Sequence, residues 1–575
     1  MQTKISARFF APFRIVIALI LILFPQSGAF AVTRAELLDS LFSELRYMAL
    51  EKPPLPEDVP PNHRFANTVG SAMKYGLIPR RPFSPDDTVN RREAVRLALM
   101  MMGWGFEASL YESFEDLPDL GGSGDPIFFL AAEMNPSAPK GLLLDGETPL
   151  SGSGRDSLLS WARNCRKSVR WNRVLSFGGV DLVIYRQGAA LPGAPNEPRG
   201  GNPIGAPLCE PLYVVALAVH PDLADARIAF AEPLGRGRAA LTEISSAYEA
   251  IGAINGGFFS ESRPIGTMLL EGTHAGKPVQ GRFAVGWNNG EDGSLVFGDG
   301  GARIGVRTRS GYVPFTKFNV APPPDEASLY TPDVAQSAPG VALDAIEIVV
   351  RSGVVVEHRE ARASDHRVPV DGLLIIGRGK SRALLEELAP GSSVKVITDW
   401  LTPAFDACAN LIQAGPMLMR DEKFVDFSEP FQKSFLEKRH PRTIMGTDGK
   451  RIFWVVIDGR NSIHSRGTTI EETKWVAKSL GLKSAINLDG GGSSELIWRG
   501  IVANWPSDGK ERPLPYALLM TPKGSKLVRK NSIQFGGFGN LDQGEFGEWG
   551  PAAGDPEREA IMMDTYNPLQ DPAMR

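Results

Sequence analysis

Four short stretches of this chain repeat one local design, an apolar run that delivers polar residues into a glycine-containing turn. They are Ala253-Ile254-Asn255-Gly256-Gly257-Phe258-Phe259, Ile412-Gln413-Ala414-Gly415-Pro416-Met417-Leu418, Phe453-Trp454-Val455-Val456-Ile457-Asp458-Gly459-Arg460 and Ala485-Ile486-Asn487-Leu488-Asp489-Gly490-Gly491-Gly492-Ser493-Ser494. Runs this short and this rich in β-branched residues, bounded by Gly, Pro, Asp or Ser, predict strands rather than helices. Leu212 to Leu217, Ala345 to Val350 and Val394 to Ile397 read the same way. One helix is expected within the region, over about Thr469 to Leu480, with Thr468 and Glu471 as a capping box and Gly481 as its left-handed C-terminal residue. Residues 212–522 therefore read as a β-rich, mixed α+β domain. The 61 glycines and 45 prolines suit such a turn-rich fold better than a helical bundle.

The first part of the chain is patterned differently. Val32-Thr33-Arg34-Ala35-Glu36-Leu37-Leu38 recurs as Val89-Asn90-Arg91-Arg92-Glu93-Ala94-Val95, and more weakly around Gly154-Arg155-Asp156, with the arginines 57 and 64 residues apart. Each copy opens a predicted helix with a small polar cap and acidic residues that suit the positive helix end. Residues 32–165 are thus expected to be mainly helical and repetitive. Residues 166–211, with the run Arg199 to Ala206 rich in Gly, Pro and Asn, read as a connecting segment. Residues 523–575 have few apolar clusters and read as a disordered tail.

Lys4, Arg8 and Arg14 precede an apolar run from Ile15 to Phe24, followed by small residues at Ala29-Phe30-Ala31. This is the layout of a cleaved export signal over residues 1–31, and the run is far short of the about 20 residues a membrane span needs. With the signal removed, no transmembrane span is expected, and the chain would be exported to the cell envelope, periplasm or cell surface. A formal net charge of −4 gives no basic footprint for nucleic acid. Three cysteines, Cys165, Cys209 and Cys408, make neither a disulfide framework nor a zinc pattern, and the seven histidines are scattered.

The residue types at the glycine turns suggest chemistry. Glycine lets a ligand approach the backbone, while Asp489 and Asp458 supply carboxylates and His440, Arg442 and Arg460 supply cationic or titratable groups. Carboxylates and arginines together suit a substrate that is both a sugar acetal and a phosphate ester. Taken singly, Asp489-Gly490 and Asn255-Gly256 are also plain hairpin signals.

Two families share these motifs. The Asp58-Val59-Pro60 stretch, the Gly76-Leu77 helix end, Phe83-Ser84-Pro85-Asp86-Asp87 and the repeated Thr/Asn-Arg-x-Glu starts resemble S-layer homology repeats. That resemblance implies docking to a cell-wall polymer or peptidoglycan, with Arg34 and Arg91 as candidate anion contacts; surface pairing with Glu36 and Glu93 is the plain alternative. From about Leu212 to Pro522, the ordered series AINGGFF, QAGPMLM, KRHPRTIMGTDGKRIFWVVIDGR, GTTIEETKWVAKSLG and INLDGGGSSELIW closely resembles the phosphodiester glycosidase family. The chain departs from the usual pattern at Gln413-Ala414-Gly415-Pro416 and Ser465-Arg466-Gly467-Thr468-Thr469. The resemblance implies hydrolysis of the C1–O bond of a sugar 1-phosphodiester within an envelope glycan or exopolysaccharide. Its matching positions are Asn255, Gly256, Gly257, Gly415, Pro416, His440, Arg442, Thr443, Asp458, Gly459, Arg460, Asn487, Asp489, Gly490, Gly491, Gly492, Ser493 and Ser494. Asp489 is expected as nucleophile or base with Asp458 as its partner, His440 as a further catalytic candidate, and Arg442 or Arg460 as stabilisers of the departing charge. No cofactor is required by the sequence, though Asp489 and Asn487 offer hard oxygens suited to Ca²⁺ or Mg²⁺. The rival expectation is a glycan-binding protein that keeps the fold without turnover, and an ordinary glycosidase would find the arginines dispensable.

Overall fold

A computed structural model describes residues 31–525 apart from 48, 79–81, 114–124, 135–142, 144, 166–169, 188–210, 233–236, 290–293, 333–334, 336, 339–341, 361–365, 427 and 462. The expected export signal, the Phe114 to Leu120 stretch, Cys209 and the tail from 526 lie outside the described residues.

The N-terminal segment holds helices Arg34–Glu44, Ala66–Lys74, Arg91–Met101, Gly105–Glu112, Pro126–Met134 and Gly152–Cys165. The repeated sequence starts become repeated helix starts. Thr33 and Glu36 form one capping box and Asn90 and Glu93 a second, while Ser151 caps the third through the Gly154 amide without an acidic partner. The starts are also tied in series by backbone hydrogen bonds, Val89 N–H to Val32 C=O and Leu150 N–H to Val89 C=O.

An eight-stranded antiparallel sheet follows, in the order Arg170–Phe177, Val180–Gln187, Leu212–Val219, Ile452–Ile457, Arg442–Thr447, Ser484–Asn487, Met417–Arg420, Lys423–Phe424. Residues 166–211, expected as a connection, contribute its first two strands. Val180, Leu182 and Ile184 alternate inward along a run that the sequence reading passed over for the Gly/Pro-rich stretch beside it.

Leu212–Val219 shows why the sheet is central, since all eight of its residues are buried. Tyr213, Val215, Leu217 and Val219 face a core shared with the five-stranded sheet Ile501–Val502, Leu496–Trp498, Gly252–Asn255, Tyr516–Pro522, Ala224–Phe230. Leu212, Val214, Ala216 and Ala218 face the helix Ile470–Ser479. A strand with both faces covered has no polar face, which is why these runs carry no alternation. The helix is capped by Thr469 and Glu472, one residue later than expected, and Gly481 ends it at φ +77°. A further seven-stranded sheet between residues 302 and 400 packs around its own core. Cys165 and Cys408 are buried, and no helix among the described residues is long and apolar enough to cross a membrane.

Candidate active site

Strand register gathers the glycine turns at one end of the eight-stranded sheet. Arg442 pairs with Ile457 and Ile444 with Asn487, so the start of one strand lies beside the ends of two others. The segment after Asn487 makes no hairpin. It leaves this sheet, turns through a short 3₁₀ helix at Gly491–Ser493, and joins the five-stranded sheet at Leu496, opposite Ile254. Asp489 therefore sits on a crossover between two sheets, where Asn255 ends a neighbouring strand.

A buried polar network fixes that crossover. Asn255, 1% exposed, donates from Nδ2 to the Asp489 carbonyl (2.9 Å) and accepts at Oδ1 from the Thr443 hydroxyl (2.9 Å) and the Glu495 amide (3.3 Å). Thr443 Oγ1 lies 3.1 Å from Ser494 Oγ. Asn487 donates to the Gly415 and Leu488 carbonyls at 2.9 and 2.6 Å, and the Gly415 amide returns a bond to the Asn487 carbonyl. Gly415 and Pro416 are joined by a cis peptide bond.

Asp489 itself is half-buried and accepts from the Gly490 amide at Oδ1 (2.9 Å). Burial raises its carboxyl pKa, opposed by hydrogen bonding from Ser493 and by the charges of Arg512 and Arg460. The glycines admit those arginines. A Cβ on Gly491, whose φ is +64°, would lie 2.9 Å from Arg460 Nη2, and one on Gly492 would lie 2.0 Å from Arg512 Nη2. Arg512 is held by Asp508 through two bonds of 2.9 and 2.7 Å and reaches toward Ser493 Oγ.

Arg460 takes a left-handed backbone, φ +60°, uncommon for a long side chain, and places Nη2 3.4 Å from His440 Nδ1. Guanidinium only donates, so Nδ1 is the acceptor and His440 carries its proton on Nε2. Burial first, then Arg442, Arg460 and Lys438, push the imidazole down to about 3. His440 is thus neutral with an N–H to offer an anion, rather than the cation its residue type suggested.

Two expected site residues do other work. Arg442 is fully buried over the Phe435 ring and donates to the carbonyls of Thr468 (3.0 Å), Phe435 (2.7 Å) and Lys438 (3.0 Å). It stitches the Lys433–Glu437 helix and the Thr468 loop to the sheet instead of meeting a leaving group. Asp458, 1% exposed, accepts from His464 Nε2 and the Trp505 amide at Oδ2 and from Asn504 Nδ2 at Oδ1. Burial pushes it up to about 8. Its oxygens are spent inside the protein, so it is not the second carboxylate facing Asp489. Gly459 packs tightly against Pro441 and His440.

Arg34 and Arg91 lie apart, in the helical segment. Arg34 pairs with Glu93 (2.8 Å) and donates to the Phe83 carbonyl (2.6 Å), so the pairing alternative describes it. A cavity of about 180 Å³ opens beside it, lined by Arg34, Phe83, Glu93, Arg96, Leu97 and Met100 among others. The Arg91 amide bonds the Thr148 carbonyl.

Sequence reasoning missed Arg512, Asp508 and Glu429. Glu429 accepts from the Phe283 and Met417 amides, lies over Gly415, and is pushed up to about 7 by burial. Asp508 precedes Gly509 in a turn, so this Asp-Gly pair and the i,i+4 spacing of Asp508 and Arg512 were legible signals, whereas Glu429 carried none. Among the described residues, buried atoms beside these turns without a hydrogen-bond partner include Arg460 Nε, Asn487 Oδ1 and Glu495 Oε2. Unsatisfied buried polar atoms are costly, which fits a surface that meets water or ligand. Among the described residues no three His, Cys, Asp or Glu side chains converge as a metal site.

Residues 344–521 match the phosphodiester glycosidase family model. The match takes in Arg442, Asp458, Arg460 and Asp489 but leaves out the Asn255 turn and the helical segment. No protein of curated function matches the sequence. Solved structures resembling the chain include a hypothetical protein from Synechocystis (21% identity, 61% of this chain and 76% of that one, TM-score 0.47) and a protein of Burkholderia pseudomallei K96243 described as exported (19%, 62% and 97%, 0.48). A third is the zebrafish N-acetylglucosamine-1-phosphodiester alpha-N-acetylglucosaminidase catalytic domain, auto-inhibited by its pro-peptide (16%, 61% and 87%, 0.29). At these identities and TM-scores the likeness assigns no chemistry.

Proposed function

We propose that this phosphodiester glycosidase-like domain hydrolyses a sugar 1-phosphodiester. The observation that carries the reading is the placement of Asp489 and Arg460 against one another beside Gly491, the carboxylate on the crossover and the guanidinium reaching it from the loop after the Ile452–Ile457 strand. Asp489, its basicity raised by burial, takes a proton from water as the water oxygen bonds to C1. The C1–O bond breaks with its electron pair passing to the phosphate, which departs as a phosphomonoester. Arg460, Arg512 and the His440 Nε2–H receive that charge. A phosphate is a good leaving group, so no second carboxylic acid is demanded, in keeping with the internal use of Asp458.

The wider reading is an exported envelope enzyme. Residues 1–31 would direct export and residues 32–165 would dock on a cell-wall polymer or peptidoglycan, bringing the enzyme beside a phosphate-containing glycan. Because Arg34 is already paired, a polymer anion would engage it at the neighbouring cavity.

The test is turnover of the chain from residue 32 onward on sugar 1-phosphodiesters carrying a chromogenic aglycone, with and without Ca²⁺ or Mg²⁺. Free sugar of inverted anomeric configuration, lost in Asp489→Asn and Arg460→Met, is the expected result. Binding of the panel by folded protein without cleavage would favour a glycan-binding role instead.

A further inference from the structure

The N-terminal helical segment and the hydrolase-like domain are joined by buried charges. Glu107, in the helix Gly105–Glu112, and Arg186, at the end of the Val180–Gln187 strand, form an ion pair with both side chains fully buried. Arg186 also donates to the Gly103 carbonyl (2.9 Å), to the Ile463 carbonyl (3.3 Å) and to His464 Nδ1 (3.0 Å). Because guanidinium only donates, Nδ1 of His464 is bare and the ring proton is on Nε2, which donates to Asp458 Oδ2 at 2.8 Å. Asp458 Oδ1 accepts from Asn504 Nδ2 (2.9 Å). The same Asn504 amide holds the Ser494 carbonyl (3.0 Å), while its Oδ1 accepts from the Leu496 amide (2.7 Å). Ser494 and Leu496 end the crossover that carries Asp489.

Packing runs along the same line. The Phe106 ring, next to Glu107, lies against Tyr213, His464 and Trp505 with centroids 5.5, 5.2 and 5.9 Å apart. Arg186 lies over the Trp104 ring at 5.2 Å. One continuous apolar core contains both the helices and the inner face of the sheet.

We propose that Glu107 is a positioning residue of the candidate active site, acting through Arg186, His464, Asp458 and Asn504 to hold the Asp489 crossover, so that the helical segment completes the site as well as serving any tether. Without the Glu107 carboxylate, Arg186 loses its counter-ion, and the guanidinium that fixes the His464 tautomer is left as an uncompensated buried charge. The proposal rests on the hydrolase reading only for which loop matters, and its decisive readouts need no substrate.

The experiment uses the chain from residue 32 onward, labelled with ¹⁵N at histidine, and compares parent with Glu107→Gln. In the parent, His464 should show a bare Nδ1 and a protonated Nε2, unchanged between neutral and mildly acid pH. In folded Glu107→Gln the expected results are a mixed-tautomer signal at His464 and amide exchange over residues 490–496 faster by about tenfold. If the parent turns over a sugar phosphodiester, kcat should fall with KM little changed. An unaltered His464 signal together with unaltered exchange at 490–496 overturns the proposal, whether or not any substrate is cleaved. If Glu107→Gln does not fold, Glu107→Asp, which keeps the charge and shortens the reach, is read by the same two criteria.

Discussion

At the scale of single residues, two arginines that look equivalent in sequence have been given opposite tasks. Arg442 is surrounded by carbonyls, and Arg460 leans over a glycine toward a carboxylate. Arg442→Met should therefore cost about 3 kcal/mol of stability, since three buried carbonyls lose a charged donor, and chemical denaturation would measure it. Arg460→Met should leave the unfolding midpoint near that of the parent while turnover falls by at least about a hundredfold, the scale of a lost charge-stabilising donor. His440 adds a pH dependence. Its folded pKa, about 3, lies below the ordinary 6.5, so under acid conditions the unfolded chain takes up a proton that the fold refuses. Stability should fall as pH drops from about 6.5 toward 3, and His440→Gln should make that limb of a thermal-midpoint profile shallower. Asp489 was legible because a carboxylate before three glycines is a local pattern. The duties of Arg442 and Asp458 were not, because burial, and loop partners such as Thr468, Asn504 and Trp505 that meet them only in the folded chain, leave no trace in spacing.

At the scale of elements, the crossover after Asn487 and the strands flanking it decide whether the site exists. Gly491 has a left-handed φ and Gly492 lies against Arg512 Nη2, so side chains at these positions meet strain or collision. Gly492→Ala should displace Arg512 and lower turnover more than it lowers the melting temperature, whereas Gly272→Ala, at a left-handed position with open space around it, should cost stability alone. Support comes from the doubly covered strands. Leu217→Ala, in a strand with no exposed residue, should cost about 2–5 kcal/mol in denaturant unfolding. Runs such as Leu212 to Leu217 announced strands by β-branched content and length, and the capping residues announced the helix that covers them to within one position. The Val180–Gln187 strand was overlooked although its alternation was present, because the glycine and proline run beside it dominated the reading of residues 166–211.

At the scale of the whole molecule, the helical segment and the sheets share one core and one buried ion network, which argues against a tether that can be cut away. Scanning calorimetry of the chain from residue 32 should give a transition in which the helical segment and the eight-stranded sheet unfold together. A chain beginning at residue 166 should lack native near-ultraviolet circular dichroism, since Arg186, Tyr213 and Trp505 lose their cover. The sequence by itself determined the strand and helix types, the repeated helix starts and the glycine turns that resemble the phosphodiester glycosidase family, because each depends on residues within one or two turns of chain. Only the tertiary structure decided that the Asp489 turn is a crossover between sheets, that Asp458 and Arg442 face inward, and that Glu107 reaches the site's supports. Those outcomes depend on which distant side chains exclude water from which charges, and desolvation is a property of the assembled core rather than of any stretch of sequence.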